Sequence, residues 1–322
     1  MYSSFSAPNG NPARSNCSNS SMETLVSESP SPSTTTASKP QPFSPLPSSV
    51  LRLWRQAAQR NLRNRWTQLA SYKDQWSSIS SAARSHATAL VNSHLSIRYM
   101  PSVKLGVLSD MPNIRERACF KLHKQQELQR RKLLQSYKEM VGVVSNMVNV
   151  SRLMKCFFKG SNCSSLLQFS CYSEDQSDSG DGGDGGGIPV FAFLPISSHD
   201  KLAEELVQMF ILELCLKRLL VLELMSVGND PSQVNQLSWS AQLYNDEFKD
   251  LRDCNLFSED GPVPPRLKDG KSDMVALKFD NQPSPEVLQV YLTTWLAELN
   301  IDTFRVNEIF AVVGEEMHVS IG

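Results

Sequence analysis

The segment that most constrains the fold is KLAEELVQMFILELCLKRLLVLELM, residues 201–225, the most apolar stretch of the chain. On a helical wheel its polar residues form one narrow stripe, while Glu213, Lys217 and Arg218 fall outside that stripe among apolar residues. A helix that is apolar around most of its circumference is stable when other elements cover it. The segment therefore predicts a buried helix of a bundle. Its charges argue against a membrane span, which needs about 18 uncharged apolar residues.

The charges inside this helix allow two interpretations. Glu213 and Lys217 are four residues apart in the favourable order, so they can form an ion pair within a bundle core, where an unpaired charge would be costly. In the second interpretation another protein covers this face, and its acidic side chains meet Lys217 and Arg218. The pattern alone does not choose between the two.

A long helix is predicted over residues 48–99. Its apolar residues recur at steps of three and four, which is the spacing of one buried helical face. They are Leu51, Trp54, Ala58, Leu62, Trp66, Leu69, Tyr72 and Trp76. The stretch after Trp76 either continues this helix or begins another one, and Pro101 ends it.

A second long helix is predicted over residues 113–158. Asn113 and Glu116 have the spacing of a capping box at its start. A coiled-coil-like seam follows at Leu134, Tyr137, Val141, Val144 and Val148. Helices of this length need antiparallel partners along most of their length. The sequence therefore predicts an all-α fold, an elongated antiparallel helical bundle.

Charge is divided unevenly along the chain. Residues 50–159 contain 20 Lys and Arg but 5 Asp and Glu, whereas residues 160–322 contain 10 and 26. Either the two regions attract each other, which we rank first, or the basic region contacts a polyanion. In the second case the basic helices within 50–138 would bind nucleic-acid phosphate. The candidate contacts are Arg60, Arg63 and Arg65.

Two low-complexity segments flank the basic region 48–159. Residues 1–47 are rich in Ser, Thr and Pro and poor in core-forming residues, so this tail is expected to be disordered. Its Ser-Pro steps are candidate phosphorylation sites: Ser29, Ser31 and Ser44. The second segment, residues 160–187, ends in acids and glycines that predict a flexible acidic linker.

The acidic region 188–322 is expected to contain further helices. Ser197 and Asp200 have the spacing of a cap for the apolar helix, which should end near Val227. A weaker helix is predicted within 232–253.

A loop is expected over 255–283, before the next helix. Ser284-Pro285-Glu286 combines a cap, a proline in the first turn and an acid beside the helix N-terminus, and it predicts that helix start. The last segment, FRVNEIFAVVG, fits a short helix or a strand.

The sequence contains no motif that indicates catalysis or metal binding. Its seven cysteines are spread without a CxxC pair, and its five histidines show no ligand spacing with acids or thiols. GxSxG and HExxH are absent, and the Gly-rich stretch lacks the G-K-[ST] of a phosphate loop. We therefore expect a protein that is not an enzyme and has no cofactor.

Three stretches of the acidic region form a recognisable pattern. PVFAFLPISSHDKLAEELVQMFILELCLKRLLVLEL contains Leu-Lys-Arg followed by Glu-Leu, and Gly-Asn-Asp-Pro comes shortly after it. VYLTTWLAEL then carries Tyr-Leu-x-x-Trp-Leu. This arrangement resembles the cyclin-dependent kinase 2-interacting protein family. The chain departs from that family by an insertion at 232–283 and by its long Ser/Pro tail.

The resemblance implies a nuclear, non-catalytic interaction protein. The family is associated with cyclin-dependent kinase and cyclin complexes, with DNA replication and its checkpoint, and with an AAA-type ATPase assembly acting on replisomes and ribosome precursors. Together with the charge pattern of the apolar helix, which adds Glu213, the resemblance gives these candidate partner-binding residues: Glu213, Leu216, Lys217, Arg218, Tyr291 and Trp295. Because the Lys-Arg step belongs to the matched pattern, the resemblance favours a partner-facing position for Lys217 and Arg218.

A separate short motif points to the same class of partner. Arg131-Lys132-Leu133-Leu134 matches the Arg-x-Leu-apolar pattern of cyclin docking, with Arg131, Leu133 and Leu134 as the contacting residues. Inside a helix, however, these leucines would instead belong to the core.

Overall fold

A computed structural model describes residues 48–159, 168–171, 182–228, 239–254, 256–258, 261–262 and 283–321. The predictions for the tail, 1–47 with Ser29, Ser31 and Ser44, lie outside these residues. The same holds for most of the acidic linker and of the loop predicted over 255–283.

The first two helices form an antiparallel hairpin. Helix α1, Ser48–Tyr99, is one continuous helix, so the stretch after Trp76 continues it. Helix α2 covers Ile114–Arg152. The indole of Trp54 near the start of α1 donates to the Cys156 carbonyl just after α2 at 2.9 Å, which fixes the opposite directions of the two helices.

The apolar segment forms the third helix. Helix α3, Ile196–Ser226, runs alongside α1 in the same direction, since Trp66 meets His199 and, ten residues on, Trp76 meets Phe210 at 5.5 Å. It runs antiparallel to α2, because the Arg130 guanidinium donates to the Val227 carbonyl at its C-terminal end. Gly228, with a φ of 74°, ends the helix as the sequence predicts.

Two shorter helices in tandem complete the bundle. Helix α5 covers Pro285–Ala297 and helix α6 covers Thr303–Met317. The Trp295 indole donates to the Ser80 carbonyl at 3.1 Å, and the ring of Phe310 packs edge to face on Trp66 at 5.9 Å. Both helices run antiparallel to α3, so the fold is the predicted all-α antiparallel bundle, with its fourth member broken in two. The final segment is a helix rather than a strand.

The remaining described elements are short. They are a 3-10 turn at Gly106–Leu108, strands β1 (Phe157–Lys159), β2 (Gln168–Ser170), β3 (Phe257–Ser258) and β4 (Gly261–Pro262), and helix α4 (Glu247–Asp253). Each strand pair, β1 with β2 and β3 with β4, is antiparallel. Helix α2 thus ends before residue 158, because aromatic residues there form β1 instead.

Only one of the three predicted helix caps forms. Ser284 accepts from the Val287 amide at 3.4 Å, with Pro285 in the first turn. Asn113 has a left-handed backbone, φ 58°, and makes no side-chain cap bond, since a capping side chain needs an extended backbone. Ser197 lies inside α3, which begins after Pro195.

The core follows the predicted faces. The seam of α2 is buried from Tyr137 to Val148, and Trp54, Trp66 and Trp76 of α1 are buried beside it. The described residues from Ser48 onward belong to one compact unit, so the basic hairpin and the acidic helices pack together rather than as separate domains.

Candidate functional site

The first part of the candidate site is the ion pair inside α3. Glu213 and Lys217 are 0% exposed, and a Glu213 carboxylate oxygen lies 2.9 Å from Lys217 Nζ. Lys217 Nζ also donates to the Trp295 carbonyl at 2.5 Å and lies 4.8 Å from the centre of the Trp295 ring. Burial lowers the pKa of Lys217, and the Glu213 carboxylate opposes that shift.

The other Glu213 oxygen binds the segment between α5 and α6. It accepts from both the backbone amide and the side-chain amide of Asn300, each at 3.0 Å. The ion pair therefore joins α3 to the end of α5 through Lys217 and to the following corner through Glu213.

Arg218 makes a second buried pair with a residue far along the chain. It is 2% exposed, and its Nε lies 2.8 Å from Glu247 Oε1. Its terminal nitrogens donate to the Trp239 and Ala241 carbonyls, each at 2.7 Å. Glu247 also accepts from the Tyr137 hydroxyl at 2.8 Å. Burial, followed by the Glu247 charge, raises the pKa of Tyr137 well above its usual value.

These positions correct the partner-facing interpretation. Glu213, Lys217 and Arg218 are covered by their own chain, because charges on a buried helix are stable only when paired and hydrogen-bonded. The internal Glu213–Lys217 pair was one of the two interpretations from the sequence. Arg218 also does not reach solvent, since residues 239–247 fold over it.

The other partner-binding candidates also take part in internal packing. Leu216 is half-buried, and Trp295 is 1% exposed. The Tyr291 hydroxyl donates to Glu223 at 3.4 Å, and burial with this acid raises the pKa of Tyr291 to about 12. The apolar helix and the Tyr-Leu-x-x-Trp-Leu stretch of the family-like pattern therefore pack on each other.

The cyclin-docking candidates do not form a docking motif in this fold. Leu133 is fully buried in the core and Leu134 packs against it, while Arg131 is exposed and pairs with Glu127 of the same helix at 3.3 Å. A docking motif must present its leucine to a partner, and here the helical seam uses it.

The phosphate-contact candidates lie on the surface of α1. Arg60 and Arg63 are exposed, and neither forms an ion pair within the described residues. Arg63 lies 5.0 Å from the centre of the Phe191 ring. Arg65 is half-buried, and its guanidinium donates to Asn61 at 3.2 Å.

Sequence reasoning missed an apolar patch at the corner between α5 and α6. We define this corner patch as four side chains that are each between 48% and 80% exposed: Leu212, Leu296, Leu299 and Phe304. Leu296 lies in the last turn of α5, and Leu299 lies in the connection that follows it. The Asn300 side chain reaches the Leu212 carbonyl at 3.5 Å, which places α3 beside the corner.

The backbone of this corner is held by polar contacts on both sides. Glu298 ends α5 in a left-handed conformation, φ 45°, and its carboxylate accepts from Ser80 at 2.8 Å and Trp76 at 3.3 Å. Asp302 caps α6 by accepting from the Arg305 amide at 3.1 Å. With Asn300 bound to Glu213, the corner presents its leucines from a fixed backbone.

Glu316, which sequence reasoning also missed, holds the loop before α3. One Glu316 oxygen accepts from three consecutive amides, those of residues 192–194, at 2.7 to 2.9 Å. His199 beneath this loop is fully buried against Trp66 and Phe191. Burial lowers the pKa of His199 to about 4, and the Glu316 charge acts in the opposite direction.

Metal-binding clusters and helices able to span a membrane are both absent from the part of the chain that the structure describes. There, no group of three His, Cys, Asp or Glu side chains is arranged to hold a metal ion. Across the same residues, no helix combines the length and the apolar character of a membrane span.

The sequence was also compared with known proteins. No protein-family model matches the chain, and no curated protein sequence matches it either.

Proposed function

We propose that this chain is a non-catalytic adaptor of a nuclear complex linked to cell-cycle kinases, DNA replication and its checkpoint, or AAA-type ATPase processing of replisomes and ribosome precursors. The direction of this proposal comes from the resemblance to the cyclin-dependent kinase 2-interacting protein family. The expected partners are a cyclin-dependent kinase with its cyclin, checkpoint proteins, or subunits of an AAA-type ATPase.

The observation that carries the proposal is the corner patch. Exposed leucines and a phenylalanine grouped on one surface feature are typical of protein-binding sites. The backbone beneath them is fixed by Glu298, Asn300 and Asp302. A surface that is already ordered loses little conformational entropy on binding, which favours affinity.

The buried ion pairs support the proposal indirectly. Glu213 and Lys217 hold the corner in place, while the exposed apolar side chains beside them remain available. The matched residues of the family-like pattern would then support the corner patch through buried contacts instead of touching the partner.

Affinity purification with mass spectrometry tests this proposal. The Leu296→Asp/Leu299→Asp variant places charge on the exposed patch, and we expect it to lose the partner that the wild-type chain recovers. Leu128→Asp changes a comparably exposed leucine of α2 and should retain that partner. Circular dichroism must show equal helix content in all three proteins. Recovery of neither cell-cycle proteins nor an AAA-type ATPase by the wild type would contradict the proposal.

Nucleic-acid binding is the second candidate function, and the exposed arginines of α1 favour it. Arg60 and Arg63 are free of ion pairs within the described residues, so contact with phosphate would break no ion pair there. Arg60→Glu/Arg63→Glu should weaken binding of labelled DNA or RNA in fluorescence anisotropy. Binding that persists at high salt would contradict an electrostatic mode.

A further inference from the structure

The α1–α2 hairpin extends past the rest of the bundle. From residue 95 to residue 125, all of which the structure describes, no side chain is buried. The last buried residue before this stretch is His94 and the first after it is Gln126, and α3 ends between them at Gly228. We call residues 95–125 the hairpin tip. Its α2 portion alone is about 18 Å long at 1.5 Å per residue.

The hairpin tip exposes several large apolar side chains. Six large apolar side chains there are between 41% and 94% exposed: Tyr99, Val103, Val107, Leu108, Met111 and Phe120. They come from the end of α1, the connection and the start of α2. Apolar side chains grouped in this way on a soluble bundle typically mark a contact surface.

The charge of the hairpin tip is strongly positive. It contains six Lys and Arg against two Asp and Glu. These side chains stand next to the apolar ones: Lys124 Nζ lies 4.5 Å from the centre of the Phe120 ring, and Arg115 donates to the Val103 carbonyl at 2.6 Å. No ion pair of the described residues involves a side chain of the tip, so its charge is available to a ligand.

A groove of about 490 Å³ runs along the final turns of α1. Leu95, Tyr99, Met100 and Val103 supply its apolar lining, and Asn92 and Ser96 its polar lining. This volume lies within the range that accommodates bulky side chains or small ligands, about 300–1,000 Å³.

We infer that the hairpin tip binds an acidic segment of a partner protein, which places a bulky apolar side chain in the groove of α1 and its carboxylates against the bases of the tip. Complementary charge would steer the segment and orient it, and the apolar anchor would supply most of the affinity. This inference rests on the proposed adaptor function, but it uses a different surface from the corner patch. Residue 78 of α1 lies beneath the corner and residue 99 lies in the tip, so the two surfaces are about 30 Å apart along this helix.

Two other classes of ligand fit the tip less well. Helices that lie on membranes present one wide apolar face, whereas the apolar side chains of the tip are spread over two helices and their connection. Nucleic-acid phosphates would use the positive charge but would leave the exposed apolar side chains and the groove without a partner.

Fluorescence anisotropy of the full chain with labelled acidic peptides tests the inference. The panel consists of short peptides of Glu and Asp with Leu, Phe or Trp at helical or extended spacing. Each is paired with a peptide of equal charge whose apolar residues are replaced by Ser. We expect binding of an apolar member and at least about tenfold weaker binding of its Ser counterpart.

Variants then locate the site. Lys121→Glu/Lys124→Glu and, separately, Tyr99→Ser/Val103→Ser should each weaken binding at least about tenfold. Since the tip contains no buried side chain, both should retain wild-type helix content. Arg84→Glu/Lys132→Glu reverses two exposed bases of the same hairpin outside the tip and should change affinity less than about threefold.

The remaining outcomes would overturn the inference. They are no binding by any peptide, equal affinity in wild-type and tip variants, or tip-dependent binding of phosphatidylserine vesicles or duplex DNA in preference to every peptide. A dimer in light scattering that the tip variants abolish would assign the surface to a second copy of the chain. Failure of the adaptor proposal is separate, because it appears as loss of partner recovery by the wild type and not in peptide binding.

Discussion

Replacing Lys217 with Met removes one half of the Glu213–Lys217 ion pair while keeping the length of the side chain. The Glu213 carboxylate then stays fully buried with the two amide groups of Asn300 but without its ammonium partner. Breaking a buried pair in this way costs about 3–5 kcal/mol, a large part of the roughly 5–15 kcal/mol that stabilises a typical domain. We expect Lys217→Met to lower the free energy of unfolding by this amount.

A double-mutant cycle separates the ion pair from packing. In Glu213→Gln/Lys217→Met no charge is left in the core, and the Gln oxygen can still accept from Asn300. The double variant should therefore lie within about 2 kcal/mol of wild type and be more stable than Lys217→Met alone. Urea titration followed by circular dichroism gives the free energies of unfolding of wild type, Lys217→Met, Glu213→Gln and the double variant.

The matched control is the exposed pair of Arg305 with Glu205, whose closest atoms are 2.6 Å apart. Arg305→Met should cost much less stability than Lys217→Met, because solvent screens this pair. The reasoning is refuted if Lys217→Met costs no more than the control. It is also refuted if the double variant is as unstable as the two single changes added together.

Three further predictions follow from the described contacts. The pKa of His199 is about 4 in the folded chain and about 6.5 in the unfolded chain, so the free energy of unfolding should fall by about 2 kcal/mol between pH 7 and pH 5. In His199→Phe this loss should disappear from the urea midpoints. An unchanged loss would disprove its assignment to His199. Gly185→Ala should cost at least about 2 kcal/mol in thermal unfolding, since φ is 66° and the new Cβ would lie 2.2 Å from the Trp54 ring; a neutral result would contradict this packing. Ser284→Ala removes the cap bond to Val287 and should lower stability by about 1 kcal/mol, whereas Ser284→Asp should retain it.

Local patterns were sufficient to predict the helices and their buried faces. The three-and-four spacing from Trp54 to Trp76 matches the buried side of α1, and the seam around Tyr137 and Val144 matches that of α2. This works because helical periodicity is a short-range property that burial imposes directly on the sequence. The cap at Ser284 was equally local.

Contacts between distant residues could not be predicted in this way. Arg218 of α3 pairs with Glu247 of α4, and because the two residues lie on different helices no spacing rule connects them. The break between α5 and α6 also involves a contact between distant residues, since Glu298, which has a left-handed conformation, accepts a hydrogen bond from Ser80 of α1. Helical spacing does not predict that break, so it could not predict the corner beside which the patch lies.

The most direct test of the adaptor account is amide hydrogen exchange of the chain with and without the partner complex recovered by affinity purification. We predict that peptides covering residues 296–304 gain protection when the partner binds, while peptides covering residues 60–65 keep their exchange rates. Unchanged exchange over 296–304 in the presence of a bound partner would contradict the account.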